Sequence, residues 1–126
     1  MKATTTARAA KVRLTFTGIP GMDAIDETVS VPPGDQFTVA ASLAYRWYDE
    51  IESGKKKIEY RDMTDYWETH LFKTVTDENG EEGDVPAVRI KFSRGYTKTN
   101  MTWTITRIDL DAKNAQYCIH LGKRVE

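Results

Sequence analysis

Residues 54–61, "GKKKIEYR", set four basic side chains around one carboxylate. Three kinds of chemistry suit that set. A lysine crowded by other cations and partly desolvated can act as a base. Glu59 can orient such a lysine or carry its proton. Arg61 lies two residues on, so it shares a strand face with Glu59, and it presents a fixed fork for a phosphate or a carbonyl. The competing reading is a basic turn followed by a Glu59–Arg61 ion pair that stiffens the strand. Other candidates are thinner. His70 and His120 lie fifty residues apart without further ligands at metal-binding spacing, so each reads as a hydrogen-bonded structural histidine and no metal site is expected. Cys118 and His120 share a face but lack a third orienting group, which argues against a cysteine nucleophile. "SRGY" (93–96) places Arg94 and Tyr96 in a turn that could contact a phosphate and stack on a base. Trp47, Tyr48, Tyr66 and Trp67 flank the basic stretch; most are expected in the core, with one or two lining a pocket for a flat ring.

The elements that must position these groups are legible from periodicity. "KVRLTFTGI" alternates Val12, Leu14 and Phe16 against polar neighbours and reads as a half-buried strand. "ETVSV" and "QFTVAAS" read as two more, separated by Pro32, Pro33 and Gly34. Ser42 suits a helix N-cap, ahead of an apolar face of Leu43, Trp47 and Ile51 that Ala44 and Tyr48 fill out. Gly54 supplies the helix stop. A strand then carries Ile58 and Tyr60 on one face and Glu59 and Arg61 on the other, which requires Lys56 to lie in the turn if it is to join Glu59. Asp65 and Glu68 resemble a capping box opening a short helix, "DYWETHLF". "DENGEEGD" (77–84) holds five acids and no base, and it lacks the ligand spacing of an EF-hand, so it reads as a solvated turn. "AVRIKF", "MTWTITRIDL" and "QYCIHL" are later strands. The middle one slips phase between Ile105 and Ile108, predicting a bulge near Thr106 or Arg107.

Six or seven strands and two short helices predict a mainly β, α+β domain, a compact barrel with helices on its rim. The chain of 126 residues suits one domain, and its net charge of −1 gives no global pull toward nucleic acid. A single cysteine, the lack of a signal-like apolar run and the lack of a membrane-length segment predict a soluble cytoplasmic protein, with residues 1–10 mobile.

The spaced set Gly54, Lys56, Glu59 and Arg61 fits the pattern G-x-K-x-x-E-x-R. It is preceded by "SLAYRWYDEIES" and followed by "DYWETHL", "VRIKFSRGY" and "YCIHLGKRV". In this order the segments resemble the ASCH domains, small relatives of the PUA superfamily. The resemblance runs from about Phe37 to the C-terminus and implies a PUA-like β-barrel over residues 36–126, with residues 1–35 an N-terminal extension, a hairpin laid against the barrel. It further implies a cleft that binds RNA or a modified nucleoside through Lys56, Glu59 and Arg61. Gly54, Lys55, Lys57, Arg94 and Tyr96 are supporting contacts. A metal-independent hydrolase without cofactors is one activity of such families, acting as a nucleoside amidohydrolase or as a ribonuclease, with Lys56 and Glu59 as catalytic residues. One branch uses the motif lysine as base and a threonine as nucleophile. This sequence has Glu59 where that threonine stands, so the lysine carries over and the hydroxyl does not. A non-catalytic RNA-binding or protein-interaction module is the alternative.

Overall fold

In the computed structural model, which describes residues 8–125, the alternating segments become pleated strands whose apolar parity faces one interior. The strands are β1 (Ala10–Thr17), β2 (Ile25–Val31), β3 (Thr38–Leu43), β4 (Ile58–Asp62), β5 (Phe72–Thr76), β6 (Glu82–Pro86), β7 (Arg89–Arg94), β8 (Asn100–Asp111) and β9 (Gln116–Val125). Two helices, α1 (Tyr45–Glu52) and α2 (Asp65–Leu71), flank β4 in sequence. The chain is therefore mainly β with two short helices, as its patterning predicts. The strands missing from the sequence reading are β5 and β6. They form a separate antiparallel pair around the acidic turn, where "FKTVT" is too short for its alternation to stand out. The turn itself is local chemistry: Asp77 Oδ1 accepts the amides of Asn79 and Glu81, each at 2.9 Å.

β8 organises the large sheet because it is long enough to pair twice along one edge. Its first half runs antiparallel to β7 and its second half parallel to β1, while β9 lies along the opposite edge. The register between β8 and β9 shifts on either side of Ile105. The predicted bulge is thus present, and it lets Met101, Ile105 and Ile108 all bury despite their phase slip. β3 runs parallel to β7, and β4 antiparallel to β9. These pairings give a five-strand path β3–β7–β8–β9–β4, whose terminal strands share no ladder.

From Ala10 onward the segment expected as an extension is a hairpin, β1–β2, and β1 is hydrogen-bonded into the large sheet beside β8. Val12 and Val31 are fully buried in the same core as Ile90, Phe92, Ile108 and Ile119. For residues 1–7 the expected mobility falls outside the described residues.

Two helix starts differ from expectation. Ser42 is not a cap: its backbone is committed to the β3–β7 ladder opposite Ser93, and α1 begins after Ala44 without a side-chain cap. Thr64, not Asp65, caps α2, its hydroxyl accepting the Trp67 amide at 3.3 Å, so the predicted capping box does not form. The inward face of α1 is Tyr48 and Ile51, three residues apart, while Trp47 is 40% exposed. Eight residues give room for one such stripe; Tyr48 and Ile51 both belong to the predicted apolar face, and Trp47 is the member that turns to solvent. Among the described residues no helix is long and apolar enough to cross a membrane.

Candidate functional site

The site begins where α1 stops. Gly54 takes a positive φ of 83°, a conformation open to glycine at little cost. The amides of Gly54 and Lys56 then return to the carbonyls of Ile51 and Glu50, each at 3.0 Å. This tight return holds Lys56 in the turn, before β4 begins at Ile58, and so removes it from strand alternation. Its Nζ donates to Glu59 Oε1 at 2.8 Å.

Pairing of β4 with β9 sets Glu59 opposite Ile119 and turns its carboxylate inward, where the residue is 5% exposed. Among the described residues it is the one charged side chain buried to this degree. Burying a carboxylate is costly unless it is paired and hydrogen-bonded. Glu59 meets both conditions. Oε1 also accepts the Tyr60 amide at 3.1 Å, and Oε2 accepts Arg61 Nε and Nη2 at 3.1 and 2.7 Å. One carboxylate therefore aligns two cations.

Each cation has an aromatic neighbour. Lys56 Nζ lies 4.8 Å from the centre of the Trp47 ring, and Arg61 Cζ lies 4.9 Å from that of Trp67. The order in space is Trp47, Lys56, Glu59, Arg61, Trp67. Arg61 reaches further: its Nη2 donates to the Ser42 carbonyl at 3.1 Å, linking β4 to β3 where the two strands share no ladder. At this seam lies an open cleft of about 440 Å³, lined in part by Ala41, Ser42, Arg61, Tyr66, Trp67 and Ser93. It combines a guanidinium, two aromatic rings and two serines. That is a set for holding a flat polar ring and an oxyanion.

The supporting residues divide. Lys55 and Lys57 are exposed beside the turn and contribute positive field. Arg94 does not join the triad. Its fork grips Asp49 on α1 at 2.9 and 3.0 Å and its Cζ lies 4.2 Å from the centre of the Tyr45 ring. That hydrogen bonding holds the Asp49 carboxyl below the ordinary carboxylate range. Tyr96 is fully exposed at the tip of the β7–β8 turn. The Ser42 carbonyl carried no side-chain signal in the sequence. Trp67 was legible as a helix aromatic, although its place over Arg61 was not.

The opposite face of the sheet carries a second polar group. Thr15 and Thr17 hydroxyls donate to Asp109 Oδ1 at 2.8 and 3.1 Å, and Arg107 Nε donates to Thr15 at 3.2 Å. Cys118 and His120 share this face. Burial pushes the Cys118 thiol up, and the charges of Asp109 and Asp111 add to the effect. Burial pushes His120 down, with Arg107 contributing. Both directions oppose a thiolate–imidazolium pair. Among the described residues no group of three or more His, Cys, Asp or Glu side chains is placed to hold a metal ion. No family model, curated protein or solved structure matches the chain.

Proposed function

We propose that the protein is an ASCH-type, PUA-like domain that binds RNA or a modified nucleoside in the cleft between β3, β4 and α2. The observation that carries this reading is the row Trp47–Lys56–Glu59–Arg61–Trp67. A buried carboxylate holds two cations in fixed positions, and each cation has an aromatic ring beside it. Lys56 uses one of its three protons on Glu59, and Arg61 uses Nε and Nη2, which leaves donors for a phosphate or a base carbonyl. Trp67 and the 55% exposed Tyr66 offer a platform for a base. In this reading the path β3–β7–β8–β9–β4 is the family's barrel and the Arg61–Ser42 contact marks its seam. The unpaired Cys118 accords with a cytoplasmic setting.

Binding is favoured over hydrolysis by the state of Glu59. Both of its oxygens are occupied, by four hydrogen bonds, so neither is placed to take a proton from water. The test is titration of the purified protein with short single-stranded RNAs and with acylated and unmodified nucleosides, followed by tryptophan fluorescence, with products assayed by mass. Two direct phosphate contacts predict a slope of log affinity against log salt of about −1.4, steepened by the field of Lys55 and Lys57. Arg61→Ala should weaken binding more than Lys55→Ala or Lys57→Ala. Absence of binding to every RNA and nucleoside refutes the reading. A product that forms with the native chain and disappears in Lys56→Ala replaces it with the hydrolase.

A further inference from the structure

A second cavity of about 430 Å³ opens between the β1–β2 hairpin, α2 and the β5–β6 hairpin. Its floor is apolar: Leu14, Phe16, Phe72, Leu110 and Tyr117 line it. Phe16, Phe72 and Leu110 are only partly buried, so the core presents hydrocarbon to solvent here. The charged groups at its wall are Glu27, Glu68 and Asp84. None of the three has an ion-pair partner among the described residues; Asp84 Oδ1 accepts a hydrogen bond from the Thr74 hydroxyl at 2.9 Å.

The nearest lysine in sequence does not correct this charge. Lys73 sits between Phe72 and Thr74 on β5, points to the other side of the pleat, and places its Nζ 4.5 Å from the Phe37 ring. A further feature points to a ligand rather than to a solvated acidic rim. Tyr117 is only 5% exposed, yet among the described residues its hydroxyl has no hydrogen-bond partner; its ring contact is with Phe72, at 6.1 Å. The ring is buried while the hydroxyl stays open at the cavity wall, so it is a polar group that a bound ligand can engage. Burial, and then the charge of Glu68, push this phenol up, so it stays protonated at neutral pH and its oxygen can accept from an ammonium.

We propose that this cavity is a ligand site for a small amphipathic cation, an ammonium carried on an aromatic or branched apolar body. The apolar body would lie on Phe16, Phe72 and Leu110. The ammonium would meet Glu68 and Asp84, with the Tyr117 oxygen as a third acceptor. The volume lies at the lower end of small-molecule pockets and suits about one ring with a short chain. Charge and apolar floor select jointly, since a neutral ring leaves the carboxylates unpaired and a hydrophilic cation leaves the floor wet.

The experiment uses the full chain and three probes in ¹H–¹⁵N correlation spectra: 2-phenylethylamine, its neutral counterpart 2-phenylethanol, and butane-1,4-diamine, a cation without an apolar body. The amine should shift the amides around Thr69, Leu110 and Tyr117, with the alcohol and the diamine each weaker by about tenfold or more, the loss of one charge-assisted hydrogen-bond set or of the floor contact. Glu68→Gln with Asp84→Asn should weaken the amine by about tenfold and leave the alcohol unchanged. Both positions are exposed, and the comparison of probes on the native chain stands without the variant. Equal binding of amine and alcohol, equal binding of amine and diamine, or shifts confined to the acidic turn at Asp77–Glu82 would each overturn the assignment. So would the absence of any shift.

Discussion

Glu59→Gln tests the central arrangement, because it removes one charge and nearly preserves shape. The native carboxylate accepts four hydrogen bonds and neutralises two cations whose side chains are 19% and 21% exposed. An amide keeps one acceptor oxygen, but it must present an NH₂ to either Lys56 or Arg61, donor against donor. Breaking a fully buried pair by removing one partner costs about 3–5 kcal/mol, and the partial exposure of both cations lowers this to about 2–3 kcal/mol. For a domain of this size the loss corresponds to a fall in Tm of about 8–12 °C. Urea denaturation should show a lower midpoint at unchanged slope, since the surface exposed on unfolding is the same. The partner experiment replaces all three groups: Lys56→Met, Glu59→Leu and Arg61→Met together. An apolar replacement of a whole buried ion cluster is often neutral or stabilising, so stability should return to within about 1 kcal/mol of native. RNA or nucleoside binding should not return with it. A Glu59→Gln variant within about 0.5 kcal/mol of native would refute the anchoring role of the carboxylate. A stable triple variant with native affinity would show that the triad is a structural staple and nothing more.

Three further outcomes follow from the same geometry. Trp67→Ala removes both the ring over Arg61 and the stacking platform, and should weaken RNA or nucleoside binding by about 1–3 kcal/mol in fluorescence titrations; unchanged affinity would move the ligand out of the cleft. The Asp49 carboxyl is held below its ordinary value by Arg94, so the pair's contribution is full above the unfolded carboxylate range and is lost as pH falls through the folded value. The Tm difference between native and Asp49→Asn should therefore be constant from neutral pH down to the ordinary carboxylate range and shrink toward zero at more acid pH, as thermal melts at each pH would show. Cys118 is buried and its thiol pushed up, so aromatic disulfide reagents at pH 8 should label it slowly in the folded chain and rapidly in urea; fast labelling of the folded chain would contradict its burial.

What the sequence determined by itself is local. Alternation marked β1, β7, β8 and β9, and the phase slip between Ile105 and Ile108 located the bulge, because the pleat has a period of two whatever lies beside it. Gly54 was legible as a helix stop, and with it the turn that frees Lys56 from the strand, since a positive φ is a property of one residue. Lys56, Glu59 and Arg61 lie within six residues, so their convergence needed only that turn and one strand face. Decisions of the tertiary structure concern partners that are distant in the chain. Position in the chain points Arg94 to the cleft, but the packing of α1 on β7 brings Asp49 to it from 45 residues away. The residue type of Ser42 suits a helix cap, but its backbone belongs to the β3–β7 ladder and its carbonyl to Arg61. Trp47 lost its core position when Tyr48 and Ile51 took the inward face of a two-turn helix. The stretch "GKKKIEYR" states which charges are present; the inward turn of β4 against β9 decides that Glu59 is the buried one. Periodicity tells a side chain which face it occupies, and only the packed neighbour determines whether that face is water, hydrocarbon or an opposite charge.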